Sequence, residues 1–395
     1  MSGNEWYQAP SLQPPGRSSD DLKEVGVIAP NYGLEHVSYL LKPPGYRHVL
    51  LRRIPFHRLE RRGTFWDKTP VLLRAPVPLV HTFNHVPMNG PPFVVSFESE
   101  LPFYLGPQRA WQHRIGHALL ASERCRAILS FSDWAADLAR KKFHDAGLPE
   151  ISGKIAIFRG AVVPSQTPDR RIFDPPATWS EKTPLRLIFV GGDGLRKGIA
   201  PLLDAVAILR AKGANIELTV VSAMVPRSYA VAEGGVSAES LCQKMTEAPW
   251  VTHHRFLSYA DVREAMSRHH MLVLPTLDET LGWVVIEAAM EGLSCVASTS
   301  YALPELVDDG RTGRLIPLPV TGTRRWTGLW AQDRLAALQE AYDILRNGLV
   351  DSLSELLNAP SLIAQRGLAA KLKLEQLYHP DAASRQLSAI YDRAL

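Results

Sequence analysis

Two doubly wound, mostly parallel α/β sheets joined by a linker are the fold that this sequence predicts. Three observations carry the prediction. Short apolar runs alternate with helical periods, twice over. A proline-rich stretch without any period separates the two series. The 395 residues, 46% hydrophobic and 21% charged, hold enough apolar material for two cores. That composition excludes a disordered, collagen-like or coiled-coil chain. Thirty prolines against 27 glycines predict many rigid turns and strand ends.

The polar N-terminus lacks the charged-then-apolar layout of a leader and is read as a flexible tail over 1–23. A first Rossmann-like domain is assigned to 24–170. Its strands are expected at Val25–Ala29, Val77–Phe83, Phe93–Phe97, Ala127–Phe131 and Lys154–Phe158. Helices are expected at Arg109–Arg124 and Asp133–Ala146, the first with Ile115, Ala118 and Leu119 on one face. Residues 164–184 carry five prolines and no apolar period, and the linker is placed at 171–184. A second Rossmann-like domain then runs over 185–378. Its strands are expected at Leu185–Val190, Ile216–Ser222, Val251–Leu257, Met271–Pro275, Ser294–Ser298 and Arg314–Pro317. Helices fall at Gly198–Lys212, Tyr259–His269 and Trp283–Glu291, and everything beyond Trp330 reads as helix. A last helix within 379–395, with Leu387, Ile390 and Tyr391 as contacts, is expected to return to the first domain. Sheets of this kind bind ligands outside the carboxyl ends of their strands, so a cleft between the domains is the expected site.

Charge and cysteine usage narrow the function classes. The net charge of +4 is too small to argue for nucleic acid. It is concentrated in 46–68, where seven Lys/Arg face two acids. That stretch admits contact with anionic lipid, binding of an acidic acceptor, or a merely solvated basic helix or loop. Cys125, Cys242 and Cys295 show no paired spacing, which argues against a disulfide framework or zinc ribbon and fits a reducing cytoplasm. No run of about 18 apolar residues is present, so no segment is expected to span a bilayer. A cytoplasmic protein is expected, with the inner face of the membrane as the alternative address.

Two motifs carry chemistry. Phe189-Val190-Gly191-Gly192-Asp193-Gly194-Leu195-Arg196-Lys197-Gly198 follows a strand and opens a helix. Its glycines, its helix N-terminus and the cations Arg196 and Lys197 suit a diphosphate, although a βα turn with solvated charges would read the same way. It is neither a dinucleotide fingerprint nor a Walker A loop. The second motif runs from Pro275 through Glu279, Thr280, Leu281, Gly282 and Trp283 to Glu287 and Gly292. Thr280 is the expected N-cap. Glu279 sits at the strand's carboxyl end. Glu287 lies between Ile286 and Ala288, where burial would demand a hydrogen-bonding partner such as a sugar hydroxyl pair. The plain alternatives are a first-turn helix acid and a solvated helix residue.

These motifs, with SCVAS and YALPELVDDGRTGRLIP downstream, resemble the donor-binding domain of the retaining GT-B glycosyltransferases of the family-four (glycosyl transferases group 1) type. The likeness is tight over 185–317 and architectural elsewhere. It implies a hexosyltransferase-type enzyme that moves a sugar from a nucleotide-diphosphate sugar to an acceptor hydroxyl with retention, in polysaccharide or glycoconjugate synthesis. The resemblance gives Glu279 the hydroxyls of the transferred sugar and Glu287 the nucleotide's ribose. Arg196 and Lys197 match the basic pair on the phosphates, with Gly191, Gly192 and the amides around Leu281, Gly282 and Trp283. Backbone near Leu257 and Pro275 would meet the base. Many members carry an arginine in the phosphate loop where this chain has Gly192 or Asp193, so Arg196 takes over its duty or the grip is weaker. A further family strand ends in a histidine beside the reacting sugar; here the position is Glu98, with His81 and His85 as alternative polar residues facing the cleft and ordinary core side chains as the plain reading of each. The turn Asn31-Tyr32-Gly33-Leu34 matches the acceptor-side loop loosely.

No resident cofactor and no metal are expected, because the cations do a metal's work. The expected partners are the donor and a glycan, lipid-linked or small-molecule acceptor, not nucleic acid. An epimerase or phosphorylase on the same fold and an inactive sugar-binding member are the alternatives. Other constellations carry less. His113 and His117 lie four apart on a helix without a completing ligand, and His253-His254 and His269-His270 read as element ends. Ser130 and Ser132 lack a nucleophile-elbow setting. Trp326 and Trp330 could offer a stacking platform, though packing is more common.

Overall fold

The computed structural model describes residues 22–29, 38–60, 63–106, 108–163, 178–180 and 182–395. The tail up to residue 21, Asn31–Leu34, Arg61, Arg62 and most of the 171–184 linker lie outside the described residues. The chain divides into two units, Met1–Val162 with Tyr378–Leu395, and Val163–Leu377.

The first unit holds β1 (Lys23–Val27), β2 (Tyr46–Leu50), β3 (Arg52–Arg53), α1 (Phe65–Lys68), β4 (Leu72–Arg74), β5 (Leu79–Phe83), β6 (Phe93–Phe97), α2 (Ala110–Ala121), β7 (Cys125–Ser130), α3 (Asp133–Asp145), α4 (Pro149–Ser152) and β8 (Ile155–Ile157). Six strands form a parallel sheet in the order β2-β1-β5-β6-β7-β8. Every residue of β5 and β6 is buried, as expected of central parallel strands covered on both faces. Each fully buried Val or Leu there contributes about 1.5–3 kcal/mol.

Two expectations need correction in this unit. The basic stretch does not form a solvated helix or loop alone. It opens with edge strand β2, and β3 pairs antiparallel with β4. On α2 the buried residues are Gln112, Gly116 and Leu120, whereas Ala118 is exposed and Ile115 and Leu119 are half-buried. Gly116 sets this rotation. A Cβ there would stand 2.7 Å from Pro102 Cγ and 2.8 Å from the Tyr104 hydroxyl, so the helix approaches along its glycine.

The second unit contains β9 (Leu185–Val190), α5 (Ile199–Ala211), β10 (Ile216–Val221), α6 (Ala238–Glu247), β11 (Val251–His254), α7 (Tyr259–Met266), β12 (Met271–Leu274), α8 (Trp283–Met290), β13 (Ser294–Ser298), α9 (Leu303–Leu306), β14 (Gly313–Ile316), α10 (Arg334–Asn358) and most of α11 (Ser361–Tyr378). Its parallel sheet runs β11-β10-β9-β12-β13-β14. The order in which successive strands are added therefore reverses between β9 and β12, the position where such sheets bind ligands. Strand β11 stops at His254, short of the expected Leu257, because Ser258 and Asp261 form a capping box that starts α7. Helix α6 is additional to the expected helices, and beyond Trp330 the chain is helical throughout, apart from short connections.

The last helix, α12 (Pro380–Ala394), belongs to the first unit and buries Leu387, Ile390 and Tyr391. Tyr391 reaches two buried histidines, with His48 Nε2 at 2.8 Å and His81 Nδ1 at 2.7 Å from its hydroxyl. One order of protons satisfies the network. His48 Nδ1 donates to the Tyr39 carbonyl (2.9 Å), so its Nε2 accepts from Tyr391. The Tyr391 oxygen then accepts from His81 Nδ1, and His81 Nε2 accepts from Ser96 (2.7 Å). Burial holds both imidazoles neutral, lowering His48 to about 4 and His81 to about 3, in the latter case helped by the neighbouring His48.

Candidate donor site in the second unit

The two loops that follow β9 and β12 meet through a glycine. Gly198 adopts φ +84° as the N-cap of α5, and a Cβ on it would lie 2.0 Å from the Pro275 carbonyl oxygen. No L side chain fits that approach. Thr276 fastens the contact: its hydroxyl is 3.3 Å from the Arg196 carbonyl, which also accepts from the Leu277 amide at 2.9 Å. Ser298 Oγ donates to the Thr276 carbonyl at 2.5 Å, fixing the loop to β13.

This closeness unites three of the sequence-derived residues. Lys197 Nζ donates to Glu279 Oε2, and Arg196 stands 3.9 Å from the same oxygen. Arg196 also donates to the Asp278 carbonyl and lies 3.4 Å from Asp193. Burial alone would raise the Glu279 pKa, but Lys197 and Arg196 more than offset it and leave the carboxyl below its ordinary range. Burial likewise works against the Arg196 charge, and Glu279, Tyr229, Asp193 and Asp278 together outweigh it. The cluster is thus a set of charged groups in a partly dry setting, where electrostatic interactions are strong. The Lys197 stem lies along Gly191, whose Cβ would meet Lys197 Cδ at 2.0 Å, while Gly192 faces open space.

The start of α8 corrects one expectation. Its N-cap is not Thr280 but Gly282, at φ +89° and without a side-chain cap. Leu303 Cδ2 would lie 2.8 Å from a Cβ at Gly282. A glycine cap leaves the first amides of the helix to other partners, the arrangement that suits an anion. Leu281 and Trp283 flank this cap and are buried. Glu287 is buried in the second turn, not a solvated helix residue. Pro275 is buried after β12, and Leu257 is half-buried in the loop before α7.

Sequence reasoning missed Asp278 and its neighbours. Asp278 is buried, accepts from the Tyr229 hydroxyl, and has Oδ1 without a hydrogen-bond partner among the described residues. Burial, and then the Asp278 charge, push the Tyr301 hydroxyl far above its ordinary pKa. Arg325 donates to Tyr301 at 2.6 Å and stacks over Trp330, 4.7 Å from the ring centroid. Of the two tryptophans considered for stacking, Trp326 is core and Trp330 is 58% exposed. Asp278 stands next to Glu279 in sequence, the one signal that pointed to it; Tyr229 and Tyr301 lie in loops without any pattern.

Other candidates belong to the first unit. Glu98 follows β6 and is half-buried. His81 and His85 are core residues, not polar groups open to a cleft: His81 lies in the Tyr391 network, and His85 Nδ1 is 2.5 Å from the Phe83 carbonyl. His113 is engaged by Gln108 at 2.7 Å. Among the described residues no three His, Cys, Asp or Glu side chains are grouped to hold a metal ion.

Residues 184–321 match the family model described as glycosyl transferases group 1. Over this stretch the second unit is similar to the glycosyl transferases of group 1. Alpha-maltose-1-phosphate synthase from Mycolicibacterium smegmatis is 33% identical over 145 residues, 36% of each chain. D-inositol 3-phosphate glycosyltransferase from Arthrobacter is 28% identical over 132 residues, 33% of this chain and 30% of that protein. The chain thus matches about a third of the length of these curated relatives. Likeness of fold extends further. Sucrose-phosphate synthase from Thermosynechococcus elongatus superimposes with a TM-score of 0.59 at 15% identity, over 94% of this chain and 98% of that one. HepE from Anabaena, solved with UDP-glucose, gives 0.57 at 13% identity, over 94% and 100%. The chain therefore has the GT-B architecture of two Rossmann-like units. The matched stretch contains both motifs, and the Lys197–Glu279 pair lies inside it.

Proposed function

We propose that the chain is a retaining glycosyltransferase that takes a sugar from a nucleotide-diphosphate donor, with no metal, and passes it to an acceptor hydroxyl in glycoconjugate or polysaccharide synthesis. The observation that carries this reading is the Glu279 carboxylate held by Lys197 and Arg196 at the reversal point of the sheet. In this reading the diphosphate enters beside Gly191 and Gly192 and shares Lys197 and Arg196 with Glu279. The amides at the start of α8 take further phosphate oxygens. As the bond to the anomeric carbon breaks, negative charge grows on the leaving diphosphate, and these preorganised donors stabilise it. The sugar passes through an oxocarbenium-like state, and Glu279, kept ionised, orients its hydroxyls. A diphosphate oxygen accepts the proton of the incoming hydroxyl on the same face. Glu287 is assigned to the ribose, and Glu98 to the acceptor side in place of the family's histidine.

Ligands of proteins with the same fold support the donor class: HepE was solved with UDP-glucose, and the pneumococcal transferase GtfA with UDP and GlcNAc. The test is to incubate the chain with a panel of nucleotide sugars and candidate acceptors and follow nucleoside diphosphate release. Transfer to an acceptor with the anomeric configuration kept, seen by NMR, supports the reading. Conversion of the donor sugar without any acceptor would replace it with an epimerase. Glu279→Gln, Arg196→Ala and Lys197→Ala are each expected to lower turnover about ten-fold or more; full activity in all three removes the proposed site.

A further inference from the structure

The first unit carries an exposed apolar and basic surface outside the residues assigned to the transfer reaction. Phe56, in the turn Phe56–Leu59, is 37% exposed. Trp111, in the first turn of α2, is 38% exposed, and Leu105, in the loop before it, 53%. They are connected by aromatic contacts. Phe65 lies 4.8 Å from the Trp111 ring and 5.1 Å from Trp66, and Trp66 lies 5.4 Å from Phe56. The Leu105 amide donates to Thr64 at 2.7 Å, beside Phe65. Single exposed apolar residues are ordinary, but neighbouring ones mark an interaction site.

Arginines neighbour these residues along the chain and on the β3–β4 pair. Arg52, Arg58, Arg74, Arg109 and Arg114 are exposed, and none of them forms an ion pair among the described residues. Arg52 and Arg74 oppose each other on β3 and β4, next to the exposed Leu73. Arg114 follows Trp111 by three residues and shares its helix face. The local acids are consumed internally. Glu60 accepts from the amides of Phe65 and Trp66 at 2.8 and 2.9 Å. Asp67 pairs with Arg53 at 2.8 Å and with Lys68 at 3.2 Å.

We propose that this face of the first unit docks on an anionic lipid bilayer. Leu105, Trp111 and Phe56 enter the headgroup–acyl boundary, and the arginines meet lipid phosphates. The chemistry favours this occupant over two others. A second copy of the chain would bring the same five arginines against themselves in a symmetric contact, which like charge opposes. A soluble acidic polymer would satisfy the arginines and leave the apolar ridge in water. Among the described residues no helix is long and apolar enough to cross a membrane, so the contact is peripheral.

The experiment is co-sedimentation of the full chain with vesicles of phosphatidylcholine alone or mixed with phosphatidylglycerol. Binding is expected only to the mixed vesicles, weakening as salt rises. Arg58→Gln, Arg109→Gln and Arg114→Gln should each weaken it about five-fold. Leu105→Ser and Trp111→Ser should weaken it at least as much; Leu105→Ser, at a 53% exposed loop position, should leave the melting temperature unchanged, whereas Trp111→Ser also loses its contact with Phe65 and is compared at a temperature where circular dichroism shows it folded. Lys141→Gln, on the exposed face of α3, should change nothing. Equal binding to phosphatidylcholine alone, no binding at low salt, or an equal loss from Lys141→Gln overturns the proposal. So does binding that ignores Leu105→Ser and Trp111→Ser and is displaced by polyglutamate, which would point to a soluble acidic partner. The readout is binding, so its failure is separate from any failure of the transfer reaction.

Discussion

Glu279 is the residue whose charge state the site controls most tightly. Burial pushes its carboxyl up, and Lys197 and Arg196 pull it down by more. Replacing Lys197 with methionine removes the larger of the two attractions and leaves the burial. The carboxyl pKa then rises, so the residual activity of Lys197→Met should lose its acid side at a higher pH than the parent enzyme. A pH–kcat profile checks this; an unmoved acid limb means that Glu279 is not the group that must be ionised. The glycines of the loop after β9 make a second, sharper contrast. Gly198 has φ +84° and no room for a Cβ, whereas Gly192 faces open space. Gly198→Ala should cost at least about 2 kcal/mol of stability, and Gly192→Ala less than about 0.5. Urea titration of both variants decides it, and equal losses would mean that the Pro275 contact does not hold the two loops together. Position at strand ends and the resemblance to the group 1 motifs, not residue identity and spacing alone, single out Glu279, Arg196 and Lys197 in the sequence. They do not reveal that Thr280 cedes the cap to Gly282, because a left-handed glycine cap depends on what packs beside it, here Leu303.

At the scale of elements, strands with long apolar runs are legible in the sequence and edge strands are not. Strands β6, β9, β12 and β13 announce themselves because both faces are buried. Strand β2, YRHVL, lies at the sheet edge and reads as part of a basic stretch. The same strand contributes His48 to the contact that holds α12 in the first unit. Both His48 and His81 have folded pKa values depressed from 6.5, to about 4 and about 3. For a base lowered in this way the unfolded chain binds more protons below 6.5. The stabilising contribution is therefore complete above that pH and is lost as pH falls from 6.5 towards 3. Stability of the first unit should fall over that window, with His48 and His81 together adding close to two protons per molecule to the slope near pH 5 and the buried His85, lowered to about 3, adding a further one. His48→Gln and His81→Gln should each remove about one proton from the slope. Urea midpoints measured across pH check this, and a slope unchanged in both variants would assign the acid sensitivity to other groups. Sequence leaves His81 between a polar group facing a cleft and an ordinary surface or core side chain; Tyr391, 310 residues later, decides for the core.

For the whole molecule, the reversal point of the second sheet makes a claim about where ligand energy enters. The loops after β9 and β12 share the Gly198–Pro275 contact, Thr276 and the Lys197–Glu279 pair. A nucleoside diphosphate bound there adds its own contacts to both loops at once. The folded state then gains stability by mass action, about 2.7 kcal/mol when the ligand stands at 100 times its dissociation constant. UDP or another nucleoside diphosphate should therefore raise the melting temperature of the full chain in proportion to the logarithm of its concentration. Inorganic phosphate should do so far less, because it lacks the ribose assigned to Glu287. Hydrogen exchange should locate the effect, with amides of 191–198 and 281–285 slowed together. Lys197→Ala should lower the thermal shift and release both loops from protection, since one side chain serves both. Protection of one loop alone, or a shift that survives Lys197→Ala intact, would place the nucleotide away from the reversal point.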